Sequence, residues 1–130
     1  MKWFKHDSNA NMDAKLRHVR LKYGMEGYGL YWYLVELIAA GVEATSLTFE
    51  LEHDAVIIAH DTGIHQDVVE EMMHYFVEQQ LFENSTGTIT CLKLATRTDE
   101  YIRKILRLNS GQYPDNIRTL SGQNPEKSAL

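Results

Sequence analysis

Lysine and arginine are absent from residues 25–92 of this 130-residue chain, although thirteen of them occur elsewhere. The only cysteine is Cys91, which excludes an intramolecular disulfide and any zinc site built from several thiolates. Proline occurs twice, at Pro114 and Pro125, so no helix or strand before residue 114 is interrupted by one. No apolar run approaches the roughly 20 residues that span a bilayer, and Met1 to His6 has no signal-peptide core behind it. The composition, 44% hydrophobic and 24% charged, excludes wholesale disorder and low-complexity polymers. These absences predict one soluble, cytoplasmic domain with no membrane association.

The charges that are present fall into blocks. Residues 1–24 hold six bases against two acids, residues 25–92 hold twelve acids, and residues 93–130 hold seven bases against four acids. The net values are therefore +4, −12 and +3 within a total of −5. An acidic body between two basic ends has three readings: independently solvated faces, two ends that meet in one positive patch, or basic ends that dock on the acidic middle of another copy.

Hydrophobic spacing predicts a mainly α fold with a small β-hairpin wing, a winged helix-turn-helix over residues 1–108, followed by a polar tail over 109–130. Asp13 or a nearby Asn is placed to cap a helix that runs to about Tyr23, with Met12, Leu16, Val19 and Tyr23 on its apolar side and Gly24 closing it. Tyr28 to Val42 is apolar nearly all round and predicts a central buried helix. Its one charge, Glu36, would need a partner if buried, with Lys5, Arg17 and Arg20 as candidates. Leu47, Phe49 and Leu51 alternate with polar residues at the strand period.

His53 to Thr62 and Asp67 to Gln79 read as two helices joined by Gly63, Ile64 and His65, a helix-turn-helix. The turn-forming run Asn84 to Gly87 lies between Leu81-Phe82 and Thr88 to Leu92, which predicts the wing. A last helix from about Ala95 to Leu108 would present Tyr101, Ile105 and Leu108 together.

No catalytic constellation emerges. His6-Asp7, His53-Asp54 and His60-Asp61, with His65 nearby, are ligand types for a metal hydrolase. Their adjacency to helix ends points instead to caps and surface residues. Gly24, Gly27 and Gly29 lack the spacing of a phosphate-binding loop and read as helix punctuation. Cys91 lies in an alternating strand, where a small thiol packs well. No cofactor or metal is expected.

The residues Trp3-Phe4 and His6-Asp7, then a basic helix, then Tyr23-Gly24, Glu26-Gly27-Tyr28-Gly29, Tyr31-Trp32 and Glu36 closely resemble the opening of a known group. It comprises the N-terminal winged-helix domains of phage and prophage replication proteins, the replisome-organiser and DnaD-like family. Ile58, Ala59, Gly63, Val68, Val69, Leu81-Phe82 and the Arg97 to Tyr101 region extend the resemblance over residues 1–108. It implies a winged helix, self-association, and a non-enzymatic role in assembling replication machinery, with a replicative helicase or its loader as a further partner.

The second helix of the helix-turn-helix carries Asp67, Glu70, Glu71 and Glu78 and no base, so in a major groove it would push carboxylates toward phosphates. DNA contacts are therefore expected from Lys15, Arg17, His18 and Lys22 in the first helix, from the wing, and from Lys93, Arg97, Arg103, Lys104 and Arg107. Such contacts with phosphate give affinity without sequence choice. The competing expectation is an oligomerising scaffold that binds proteins and not DNA.

Overall fold

A computed structural model describes residues 1–111 of the chain. The residues beyond, which include most of the expected polar tail with Arg118 and Lys127, lie outside the described part. Four α-helices, α1 (Ala14–Ala40), α2 (Ala55–Thr62), α3 (Gln66–Glu78) and α4 (Glu100–Gly111), are joined by one hairpin of β1 (Glu83–Ser85) and β2 (Thr88–Thr90). The order is that of a helix-turn-helix followed by a wing, as the hydrophobic spacing predicts.

Asp13 caps α1 through its carboxylate, which accepts from the Leu16 N–H at 3.1 Å. The helix then breaks at Gly24, whose φ of +69° and ψ of −158° lie in a region open essentially to glycine. Two arms result, 14–23 and 25–40, and the second begins before the expected Tyr28. Three residues on, a Cβ at Gly27 would stand 2.6 Å from the Tyr23 Cβ and 3.0 Å from a Val19 methyl. The absence of a side chain there is what lets the arms turn tightly against each other.

The second arm runs through the core, where Leu30, Leu34, Val35 and Ile38 are buried with Val69, Met72 and Phe76 of α3. Tyr31 stacks on Phe82 with ring centres 5.2 Å apart and meets Phe76 edge-on. Glu36 is exposed, so the partner that burial would demand is not required. Met12 is also exposed rather than part of the apolar side.

α2 is capped by Asp54, which accepts from the Ile57 N–H at 3.0 Å, and ends at Gly63 in the left-handed conformation. His65 caps α3 by accepting from the Asp67 N–H. In the hairpin, Ser85 pairs with Thr88 and the two residues between, Thr86 and Gly87, both have positive φ. That is the backbone of a two-residue turn whose twist matches the strands.

Two elements differ from expectation. The segment around Phe49 is no regular strand, because Phe49 adopts φ +55° to turn its ring into the core. It still touches the wing: Leu51 N–H donates to Ile89 O, Cys91 N–H donates to Phe49 O, and Glu50 bridges Thr90. The last helix begins at Glu100, not Ala95, since Leu92–Thr96 forms a 3-10 turn and Asp99 supplies the cap to Ile102 N–H at 2.9 Å. It also continues past Leu108. Ile102 is its buried anchor with Leu106 packed beside it, while Tyr101 and Leu108 are exposed.

Candidate nucleic-acid interface

The N-terminal arm, residues 1–6, crosses from the end of α1 to the start of α4. Lys2 N–H donates to the Asp99 carboxylate at 2.9 Å, and Lys5 N–H donates to Arg97 O at 2.8 Å beside a Phe4–Thr98 bridge. The terminal ammonium donates to Ala39 O and Val42 O at the α1 C-terminus, where carbonyl dipoles favour positive charge. Asp99 is buried; that burial pushes its carboxyl up, but N–H donors from Ile102, Lys2 and Trp3 and the nearby ammonium outweigh it and hold it below its ordinary value.

Aromatic residues fix the arm to the second arm of α1. The His6 ring stacks on Trp32 and Phe4 lies parallel to it at 6.3 Å, while Tyr28 and Tyr31 meet the same indole edge-on. Asp7 then pairs with the Arg97 guanidinium at 2.9 Å. The basic ends of the sequence thus meet through this arm, which brings Lys2 and Lys5, absent from the expected contact set, beside Arg97. Only pairing across some ninety residues reveals that neighbourhood.

The expected contact residues fall into three groups. Lys15, Arg17, His18 and Lys22 lie on the first arm of α1, with Arg17, His18 and Lys22 exposed and Lys15 half-buried. The Lys22 ammonium lies over the rings of Tyr23 and Tyr75 at 5.6 and 5.3 Å, toward α3. Tyr23 donates to the Glu71 carboxylate at 2.6 Å. Its phenol is pushed well above its ordinary value, first by burial and then by that hydrogen bond.

Lys93 and Arg97 form the second group. They line a cavity of about 280 Å³ between the N-terminal arm, α1 and the 3-10 turn, together with Asp7 and Asp13. Both carboxylates offset the local positive charge, and Arg97 is already ion-paired. Arg103, Lys104 and Arg107 form the third, gathered with Glu100 and Leu108 around a shallow depression on α4. Arg103 also reaches back to Thr98 O at 3.4 Å.

Arg20 was not in the expected set. Its guanidinium donates to Asn11 O at 2.7 Å and lies over the Tyr28 ring at 5.1 Å, so it joins the two arms of α1. The exposed face of α3 shows Asp67, Glu70, Glu71 and Glu78, as its sequence requires. The wing tip, Asn84 to Gly87, is exposed and uncharged.

Among the described residues no three His, Cys, Asp or Glu side chains converge as a metal site would require. His60 and His65 pair with adjacent Asp61 and Asp67 at helix ends, at 3.5 and 3.9 Å. No described helix is long and apolar enough to cross a membrane.

The arm, both limbs of α1, the helix-turn-helix and the wing together make up the segment that a known family model matches: Lin1244/Lin1753-like, N-terminal, over residues 3–92. The chain belongs to this family. The matched segment ends just before Lys93, so α4 and its bases lie beyond it. Searches of curated proteins and of solved structures found no match.

Proposed function

We propose that this Lin1244/Lin1753-like domain is a non-enzymatic, phage-type module of DNA replication initiation. It binds DNA through phosphates, self-associates, and works in the bacterial cytoplasm as a phage or prophage product. The observation that carries the reading is that the exposed bases, Lys104 and Arg107 on α4 and Arg17, His18 and Lys22 on the first arm of α1, stand on elements other than the acidic α3. Cations on the flanks of a winged helix can follow a duplex backbone without offering carboxylates to it. The resemblance of residues 1–108 to replisome-organiser and DnaD-like domains supports the replication context, with a helicase or its loader as partner.

Fluorescence anisotropy with labelled duplex and single-stranded DNA over a salt series tests this. Binding should weaken linearly in log–log form, by roughly 0.9 per phosphate neutralised on duplex. Arg103→Ala with Arg107→Ala should reduce both affinity and slope, as should Lys15→Ala with Arg17→Ala. Absence of binding at low salt rejects the DNA role. A second reading, a scaffold that binds only proteins, is favoured by the acidic exposed face of α3, which holds four carboxylates and no lysine or arginine, and that result would leave it standing.

A further inference from the structure

Of the three glycines in the Gly24 to Gly29 run, two are explained within the chain: Gly24 by its positive φ and Gly27 by the close pass of Tyr23. Gly29 is not. It sits in regular helix, it is exposed, and a Cβ placed on it would meet nothing within 4 Å. An exposed helical glycine is roughly 0.5–1 kcal/mol worse than alanine, so nothing in the folded chain itself rewards this choice.

Gly29 forms the floor of an open groove between the second arm of α1 and the end of α2. Met25 and Ile64 give it apolar walls, and Glu26 and Asp61 give it an acidic rim. Met25 is 68% exposed, and the Tyr33 hydroxyl lies 3.5 Å from the Asp61 carboxylate at one end. This surface belongs to the stretch that has no lysine or arginine. A small residue on a groove floor is what allows a helix from elsewhere to approach closely, and apolar walls with an acidic rim fit a basic amphipathic helix.

The same chain displays such a helix. On α4, Tyr101, Lys104 and Leu108 are all exposed and recur at spacings of three and four, one continuous stripe. Tyr101 is 63% and Leu108 is 56% exposed. Arg103 and Arg107 lie four apart on a neighbouring stripe, which remains available to phosphate.

We infer that the groove over Gly29 receives α4 of a second copy, with Tyr101 and Leu108 against the apolar walls and Lys104 at the Glu26–Asp61 rim. The inference deepens the self-association within the proposed function and rests on that part of it. The two surfaces differ, so the contact is head-to-tail and a pair keeps one free groove on one copy and one free helix on the other, which extends into a ring or a chain.

Sedimentation velocity over a dilution series tests this, with DNA anisotropy run on the same variants. Gly29→Gln should weaken association at least about tenfold by occupying the floor, with a melting temperature no lower than wild type. Tyr101→Gln with Leu108→Gln should weaken it equally from the other side. Mixing the two variants should restore a one-to-one dimer and nothing larger, because each retains the half that the other lacks. Added salt should weaken wild-type association.

Association that survives either variant, or a mixture that stays monomeric, overturns the interface while leaving self-association through another surface. Wild-type protein that is monomeric at every concentration overturns both. A groove that captures a synthetic basic amphipathic helix but not a second copy overturns the choice of occupant.

Discussion

The imidazole of His6 lies flat on the indole of Trp32, ring centres 3.7 Å apart and planes 17° from parallel. This contact joins the N-terminal arm to the central helix across 26 positions of sequence. The Trp32 Nε1 is buried without a hydrogen-bond partner, so the residue contributes through its ring faces.

His6→Ala should therefore destabilise the domain by roughly 0.5–1.5 kcal/mol, the scale of an aromatic pair beyond its buried area. Trp32→Leu should be worse, because Phe4, Tyr28 and Tyr31 lose their common partner as well. Urea titrations followed by far-UV circular dichroism would measure both, and equal costs would remove the stack as the arm's anchor.

The three glycines of the Gly24 to Gly29 run should respond to alanine in different directions. Gly24→Ala forces a side chain into its positive-φ conformation at a cost of order 1–3 kcal/mol, and Gly27→Ala meets the Tyr23 Cβ at 2.6 Å, an overpacking cost of similar size. Gly29→Ala should raise stability by roughly 0.5–1 kcal/mol through helix propensity. Thermal melts at a concentration low enough to keep the protein monomeric give the ranking directly.

Asp99 makes acid stability readable. Its carboxyl is held below its ordinary value of 3.8 in the folded protein, so the stability it contributes is complete above that value. The contribution is lost as pH falls through the lower folded value. Asp99→Asn should be less stable than wild type near neutrality, and the gap should close as the buffer is acidified below 3.8. A gap that is constant with pH would mean that the carboxylate charge is irrelevant to the cap.

Cys91 should be silent to thiol reagents in the native state. It is 2% exposed, and burial pushes its thiol up to about 11, so both access and thiolate are scarce in mildly alkaline buffer. Labelling should follow global unfolding, with a rate that rises with denaturant in step with loss of helix. Rapid labelling without denaturant would contradict the packing of β2 against the Phe49 segment.

Much of the architecture was legible because local chemistry and tertiary structure agree. Asp13 and Gly63 mark helix ends in the sequence and do so in the fold, whereas the helix read from His53 starts at Ala55, with Asp54 as its cap. Thr86-Gly87 likewise sits where the turn cluster placed it. The Phe49 segment has the period of a strand, yet its backbone is decided by the need to bury one ring beside the wing, a demand made by residues forty positions away.

In α4 two apolar stripes overlap, and spacing alone cannot say which one is buried. Packing selects Ile102 and Leu106, whereas the sequence equally displays Tyr101, Ile105 and Leu108. The Asp99 cap was hidden because the 3-10 turn before it occupies positions that continue the helical period. At the candidate interface the bases themselves were evident. Their attenuation by Asp7 at Arg97, or by the Tyr75 ring at Lys22, was not, since these partners come from distant segments.

The placement of the arm also orders events during synthesis. Residues 1–6 are made before the rest of the described domain, but their partners at Arg97, Thr98 and Asp99 follow almost a full domain later. The arm can meet Trp32 and the end of α1 early, but its contacts with residues 97–99 must wait for the helix-turn-helix and the wing, because contacts so far apart in sequence form only after the intervening chain is available. Its closure on the base of α4 reports that translation has carried the chain past the wing, so the arm is seated in two stages, first on α1 and then on α4.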